Sequence, residues 1–266
     1  MDEESRVIMF KLNINLNSRK MKRYIFSLTS FFLGYIIISS LANTSFLPSI
    51  QIIIKSLKFL LDNNILQKSI IDSLYRLLSG FLLGSAIGLF LGLIMGMNRK
   101  LDYALDPLIE IPRFVPSLAF LPLFIIWFGG GELSRISLIA LGAMIATWPG
   151  TYHGVRDIPL IYLYASINLG ASKWLLFKNI ILPAAMPRIF SALRISLGAS
   201  WTIIVAAELM GAESGLGYLL SIGREFTSVS VIFISLFCIA ILAIIMDTFL
   251  RIFFGRMIKW MKRIER

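Results

Sequence analysis

The sequence predicts an all-α transmembrane protein, a single bundle of six spanning helices. Three observations carry this. Of 266 residues, 57% are hydrophobic and only 15% are charged. The mean hydropathy is +0.80. The apolar residues gather into long runs separated by polar gaps. A soluble domain does not carry such a composition, whereas each crossing of a hydrocarbon core needs ~20 apolar residues, so this length suits about six crossings.

The net charge of +11 does not point to nucleic acid, because the basic residues sit in the gaps between apolar runs, where they orient helices in a bilayer. Cys238, the one cysteine, lies inside an apolar run, which excludes an intrachain disulfide and a cysteine metal site. His153 has no second histidine to join it and reads as a polar loop residue, so no metal site is expected. Residues 1–23 are polar and basic, and no small-residue cleavage site follows the next apolar run, which therefore reads as an uncleaved first span.

In order along the chain, residues 1–24 are a cytoplasmic N-terminal segment, residues 25–254 one transmembrane domain and residues 255–266 a basic cytoplasmic tail. Span 1 is expected at about 25–42, after Arg19, Lys20, Lys22 and Arg23. Residues Ile50–Lys68 place Ile53, Ile54, Leu57, Leu60 and Leu61 at helical spacing between Lys55, Lys58 and Asp62, the pattern of an interfacial helix. Span 2, about 74–97, carries Gly80, Gly84, Gly88, Gly92 and Gly96, a groove that lets a neighbouring backbone come close. Span 3, about 107–128, is broken by Pro107, Pro112, Pro116 and Pro122. Broken helices are tolerated at membrane depth where they are buried or line a cavity, so residues 112–122 are either pathway lining or a kinked structural helix. Span 4 is expected at 133–148, ending at Pro149-Gly150, and spans 5 and 6 at 189–211 and 229–253. Counting lysines and arginines places the N-terminus, the Arg99 turn, the 151–188 loop and the tail on the cytoplasmic side, with Lys55, Lys58, Lys68, Arg135 and Arg224 outside. The chain is thus a multi-pass protein of the cytoplasmic (inner) membrane.

The 151–188 loop is the informative connection. It reads as a short helix ended by Gly170, then a second short helix stopped before Pro183. Tyr164-Ala165-Ser166, three residues, Gly170, nine residues, Ile180, one residue and Leu182-Pro183 resemble the "EAA" loop of binding-protein-dependent ABC importer permeases, with Tyr164-Ala165-Ser166 in place of Glu-Ala-Ala. Between about 69 and 251 the chain is similar to the nitrate/sulfonate/taurine-type permeases of that MetI-like superfamily. The likeness rests on Ser73-Leu74-Tyr75-Arg76, Leu105-Asp106-Pro107, Leu121–Gly129, Leu169-Gly170-Ala171-Ser172 and Ala207–Gly217. It implies a MetI-like permease bundle that works as a pair, here as a homodimer. The loop, by the same likeness, docks as a coupling helix into a separate ABC ATPase subunit through Tyr164, Ala165, Ser166, Gly170, Ala171, Ser172 and Lys173, with Ile180, Leu182 and Pro183 closing the motif. The resemblance further implies a solute-binding protein that supplies the cargo, a small solute of sulfonate, taurine or nitrate type or a pyrimidine-type precursor. A bulky aromatic at Tyr164 removes the acidic group that the motif carries there.

No glycine is followed by lysine, so no P-loop is present to hold a nucleotide. The chain is expected to bind no cofactor, to be a transport subunit and not an enzyme, and to rely on ATP used by a partner. Charges inside spans are costly and mark sites or pairs. Arg194 reads as a snorkelling group, Asp247 as a partner of Arg251 four residues on, and Glu208 as either a structural partner of a basic group or part of an outer gate. Ser117, Trp148, Ser196, Ser200, Trp201, Thr202 and Glu208 are candidates for facing a pathway, with packing and interhelical hydrogen bonds as the alternative for each. A stand-alone transporter or channel would call for clear inverted repeats or paired carboxylates within spans, and an intramembrane enzyme for a convergent nucleophile and base. None of these is clear in the sequence, and a stand-alone transporter or channel stands as the alternative reading.

Overall fold

The computed structural model describes residues 48–257, and the expected first span at 25–42 lies outside them. The chain divides into two compact units, Met1–Lys58 and Phe59–Arg266. Among the described residues all regular structure is helical. Helix α1 (Ile50–Asp62) opens the sequence of elements and supplies the described part of the first unit, residues 48–58.

The interfacial helix expected through Lys68 is shorter than its periodicity suggests. Asn63 Nδ2 donates to Phe59 O at 2.8 Å, and Asn64 adopts φ +57°. Asparagine tolerates that left-handed turn, so the chain breaks there. Gln67 and Lys68 belong to the next helix, α2 (Ile65–Met97), whose 33 residues contain the whole of the expected span 2.

The bundle centre is a three-helix sandwich of α2, α5 (Glu132–Arg156) and α7 (Lys173–Leu209). The five glycines of α2 meet α5 in register: a Cβ on Gly80 would fall 2.6 Å from Ile139 Cβ, on Gly84 2.0 Å from Ala140 O, on Gly92 2.6 Å from Thr151 Cβ and on Gly96 2.7 Å from Val155 Cβ. Numbers rise together on both helices, so α2 and α5 run parallel. A second face of α5 meets α7 through Gly142 against Ile203, Gly150 against Ala192 and Gly154 against Arg188, with numbers running oppositely. Around these contacts Leu77, Phe81, Leu138, Ile139, Ala185, Leu197 and Ile204 close a continuous apolar core.

Parallel α2 and α5 require the chain to recross the bundle between Met97 and Glu132. The proline-rich segment does this as α3 (Arg99–Phe114), a 3-10 turn (Ser117–Phe120) and α4 (Leu121–Phe128), the two halves bent by 93°. The four long apolar helices, α2, α5, α7 and α9 (Val229–Met257), are each long and apolar enough to cross a membrane, and the bent pair, taken as one span, brings the number among the described residues to five.

Two boundaries depart from expectation. Helix α5 continues through Pro149 and Gly150 to Arg156, because packing on two faces outweighs the ~3 kcal/mol that an interior proline costs. His153, expected in a loop, consequently sits in the last turn of α5. The expected stop before Pro183 is also absent. Residues Phe177–Ile181 adopt π-helical bonding, with Leu182 N bonded to Phe177 O, and the helix runs on. Shifting bonds to i→i+5 spares the chain the i−4 carbonyl that a proline ring would strike. Helix α7 is therefore one rod of 37 residues. Helix α6 (Leu160–Asn168) precedes it, and α8 (Leu216–Glu225) links it to α9.

Candidate functional site

At one end of the bundle the chain leaves α5, forms α6 and turns into α7. Gly170 ends α6 with φ +79°. Its N–H donates to Ile167 O at 2.9 Å and that of Ala171 donates to Ser166 O at 3.0 Å, the paired bonds of a Schellman turn. Ser172 caps α7 by accepting from Leu175 N at 3.3 Å. Leu163, Leu176 and Phe177 hold the connection against the core. The rest of α6 faces outward: Leu160, Ile161, Tyr162, Tyr164 and Ile167 are exposed, and Leu169 is 88% exposed. Ala165 and Lys173 are exposed and Ser166 and Ala171 half-buried; Ile180 and Leu182 are half-buried, with Pro183 packed beside them. Arg188 pairs with Asp157 across the base of the connection.

The polar groups at mid-bundle are mostly internal. Ser196 Oγ donates to Ala143 O at 3.1 Å and lies 3.3 Å from Ser85 Oγ, to which Thr147 donates at 3.4 Å. Ser200 bonds back to Ser196 O at 2.8 Å. Trp148 Nε1 donates to Met95 Sδ at 3.2 Å. Ser196, Ser200 and Trp148 are thus enclosed between helices, where a serine finds a carbonyl and small side chains allow close approach. Trp201 is buried as well, its indole N–H without a partner among the described residues. Thr202 is exposed, donating to Gly198 O at 3.3 Å, and Ser117 is half-buried against Gly142.

The opposite end of the bundle holds a buried ion cluster. Glu208, 1% exposed, accepts from Arg76 Nη1 at 2.7 Å, from Ser73 Oγ at 2.8 Å and from Gly217 N at 2.8 Å. Arg76, 2% exposed, also binds Glu132 at 2.5 and 2.7 Å, Ser214 O at 2.6 Å and Ser214 Oγ at 2.9 Å. Ser73 Oγ accepts from Leu216 N at 2.8 Å, and Arg135 donates to Gly211 O at 2.5 Å. Two arginines face two glutamates, so the cluster is neutral. Arg76, Glu208 and Glu132 are each multiply bonded, and Arg135 adds an ion contact to Glu132 at 3.7 Å, which is what makes a buried pair tolerable; removing one partner costs about 3–5 kcal/mol. Glu208 is thus paired with a basic group, Arg76. Sequence reasoning noted Ser73 and Arg76 only as part of a resemblance. The usable signal was an arginine beside a long apolar run, which demands a counter-charge.

Arg194 does not snorkel freely. It bonds Asp247 at 2.7 and 3.1 Å, and Asp247 also accepts from Arg251 at 2.8 Å. This joins α7 to α9. Asp247→Asn is expected to lower the melting temperature of the detergent-solubilised protein, costing about 1–3 kcal/mol because Arg194 loses its charged partner. Arg251→Ala, at an exposed pair, is expected to cost less than about 0.5 kcal/mol.

The geometry acquires a family from comparison with known proteins. Residues 84–263 match the family model described as "binding-protein-dependent transport system inner membrane component". The chain belongs to this family. The permease is 36% identical over 194 residues to the putative aliphatic sulfonates transport permease of Bacillus subtilis, covering 73% of this chain and 70% of that protein. It is 40% identical over 156 residues to the taurine transport system permease of Escherichia coli, covering 59% and 57%. It is 34% identical over 181 residues to the nitrate import permease of a Synechocystis species, covering 67% and 65%. Among solved structures, an inward-facing MetNI methionine ABC transporter matches with a TM-score of 0.57 at 20% identity, covering 73% of the permease and 95% of that chain. The all-helical MetI-like fold and the multi-pass permease class expected from the sequence are therefore shown.

Proposed function

We propose that this permease is the transmembrane subunit of an ABC importer whose separate ATPase docks at the cytoplasmic face on α6 and the turn at Gly170. The observation that carries the reading is the outward apolar face of α6, held on a connection anchored to two core helices. Exposed apolar residues clustered on an ordered surface mark a protein or membrane interaction site, and the resemblance of residues 164–183 to the EAA loop favours a protein partner here. Tyr164, Leu160, Ile161 and Leu169 offer an apolar surface to a groove, and Lys173 a charge at its border. No glycine is followed by lysine, so the sequence has no P-loop, and in this reading ATP is used by that partner. A solute-binding protein delivers cargo, a second identical permease completes the pathway, and both termini lie in the cytoplasm. The named relatives favour a small solute bearing an anionic oxygen group, such as a sulfonate, taurine or nitrate, over a pyrimidine-type precursor.

The test is co-purification followed by reconstitution. The tagged permease is expected to bring down an ATPase, and proteoliposomes holding the complex and its binding protein to take up solute only with ATP. Ala165→Arg places a charge in the docking face and is expected to lower both ATPase association and uptake by about tenfold or more, the membrane level unchanged; that ratio corresponds to 1.4 kcal/mol or more of binding. Uptake by the permease alone, driven by an ion gradient, would refute the reading and leave the stand-alone transporter.

A further inference from the structure

We infer that Arg76 and Glu208 are positioning residues for transport: they fasten segment 211–217 to the far end of α7, so that motion of the coupling connection is delivered through one rod to the opposite mouth of the bundle. The inference rests on the proposed ATP-driven reading.

Four observations lead to it. Helix α7 is unbroken for 37 residues, about 55 Å at 1.5 Å per residue. It begins beside Ser172 of the connection and carries Glu208 in its last turn. Second, segment 211–217 is gripped along its length: Arg135 holds Gly211 O, Arg76 holds Ser214 twice, Ser73 holds Leu216 N and Glu208 holds Gly217 N. Third, a Cβ on Gly215 would fall 2.3 Å from Glu208 Oε1. The carboxylate lies directly against the segment's backbone, and Gly215, at φ +118°, is what lets it. Fourth, α7 is keyed into α5 by Gly150 against Ala192 and by Ser196 bonded to Ala143 O.

These features exclude sliding. An axial shift of α7 would drive Ala192 out of the Gly150 notch and strand a buried charge of the neutral cluster. Packed interfaces of this kind move as bodies. The irregular part of the rod, Phe177–Ile181 followed by Pro183 and Pro187, lies at the coupling end, before the contacts of Ala192 and Ser196 with α5. A push on α7 therefore moves α2, α5 and α7 as one body, and the cluster makes segment 211–217 travel with them.

The experiment uses the permease assembled with its ATPase and binding protein in lipid, in a Cys238→Ser background. Spin labels at Ile71→Cys and Glu213→Cys, both exposed and neither making one of the cluster's hydrogen bonds named above, report the distance from α2 to the segment. The expected result is one narrow distance in the nucleotide-free and the vanadate-trapped states. A shift of about 5 Å between them, the size of a one-turn slip, would overturn the inference whatever any variant does. Glu208→Gln and Arg76→Gln are expected to broaden that distance and to cut solute moved per ATP by about tenfold, while ATP hydrolysis stays within about twofold. Arg76→Lys, which keeps the charge, is expected to recover part of the ratio. An unchanged ratio in Glu208→Gln overturns the inference while sparing the proposed function; absence of any ATPase in the wild-type assembly sinks the proposed function itself.

Discussion

Gly84→Val is expected to abolish the folded permease. A Cβ at this position would lie 2.0 Å from Ala140 O and 2.7 Å from Ala140 Cα. These are backbone atoms of α5, with no flexible side chain to swing aside, so relief requires α2 and α5 to separate. Separation would also loosen the contacts at Gly80, Gly88 and Gly92, and would break the hydrogen bond from Thr147 to Ser85. Ordinary overpacking costs about 1–3 kcal/mol, and a clash with backbone along a shared seam exceeds that range, against a total stability of only ~5–15 kcal/mol. Size-exclusion profiles in mild detergent are the measurement, with aggregation or loss of the monodisperse peak as the expected result. Gly198→Ala supplies the control. Its added Cβ meets nothing within 4 Å, and alanine is favoured over glycine in a helix by about 1 kcal/mol, so that variant is expected to melt at or slightly above the wild-type temperature. A monodisperse, normally melting Gly84→Val protein would mean that α2 and α5 do not meet along this groove.

The five-glycine groove was legible because its period of four places small residues along one slowly drifting helix face, and such a face has one physical use. The broken third crossing was legible because proline cannot hide within an isolated helix. Gly170 was legible for the converse reason: a lone glycine after a short helix marks a left-handed end. What escaped reading depends on partners distant in the chain. Pro149 looked like a stop since local propensity says so, and only the two-sided packing of α5 overrides it. Pro183 looked the same, and a π-bonded turn with no sequence signature accommodates it. The ion cluster joins Ser73 and Arg76 to Glu208 across more than a hundred residues. Each charge was visible as a cost, but which opposite charge met it depended on α2 and α5 running parallel. Ser196 and Ser200 show the same limit: four residues apart on one face, they fit a pathway or a helix seam equally well until the neighbouring helix is in place.

Gly170→Pro should uncouple the two halves of the connection while leaving the bundle intact, and the reason is local. Gly170 needs φ +79°, whereas proline holds φ near −65°. Its N–H also donates to Ile167 O, and proline has no N–H to give. Both bonds of the Schellman turn then fail, because Ala171 can no longer reach Ser166 O once the chain leaves the left-handed region. Helix α6 loses its fixed angle to α7, and the exposed face of Leu160, Tyr164 and Leu169 is no longer presented as a unit. Nothing lies within 4 Å of a Cβ built at this glycine, so the defect is conformational and stays out of the core: the variant is expected to insert and to melt close to the wild type. ATPase association and ATP-dependent uptake are expected to fall by about tenfold or more, since a docking face that must be ordered on binding costs affinity. Gly170→Asn separates backbone geometry from side-chain bulk. Asparagine visits the left-handed region with small strain, so most coupling should survive there, with Gly170→Ala between the two. Equal loss in the asparagine and proline variants would show that space at this turn, and not its handedness, is what the ATPase requires; full activity in the proline variant would remove the turn from the coupling path altogether.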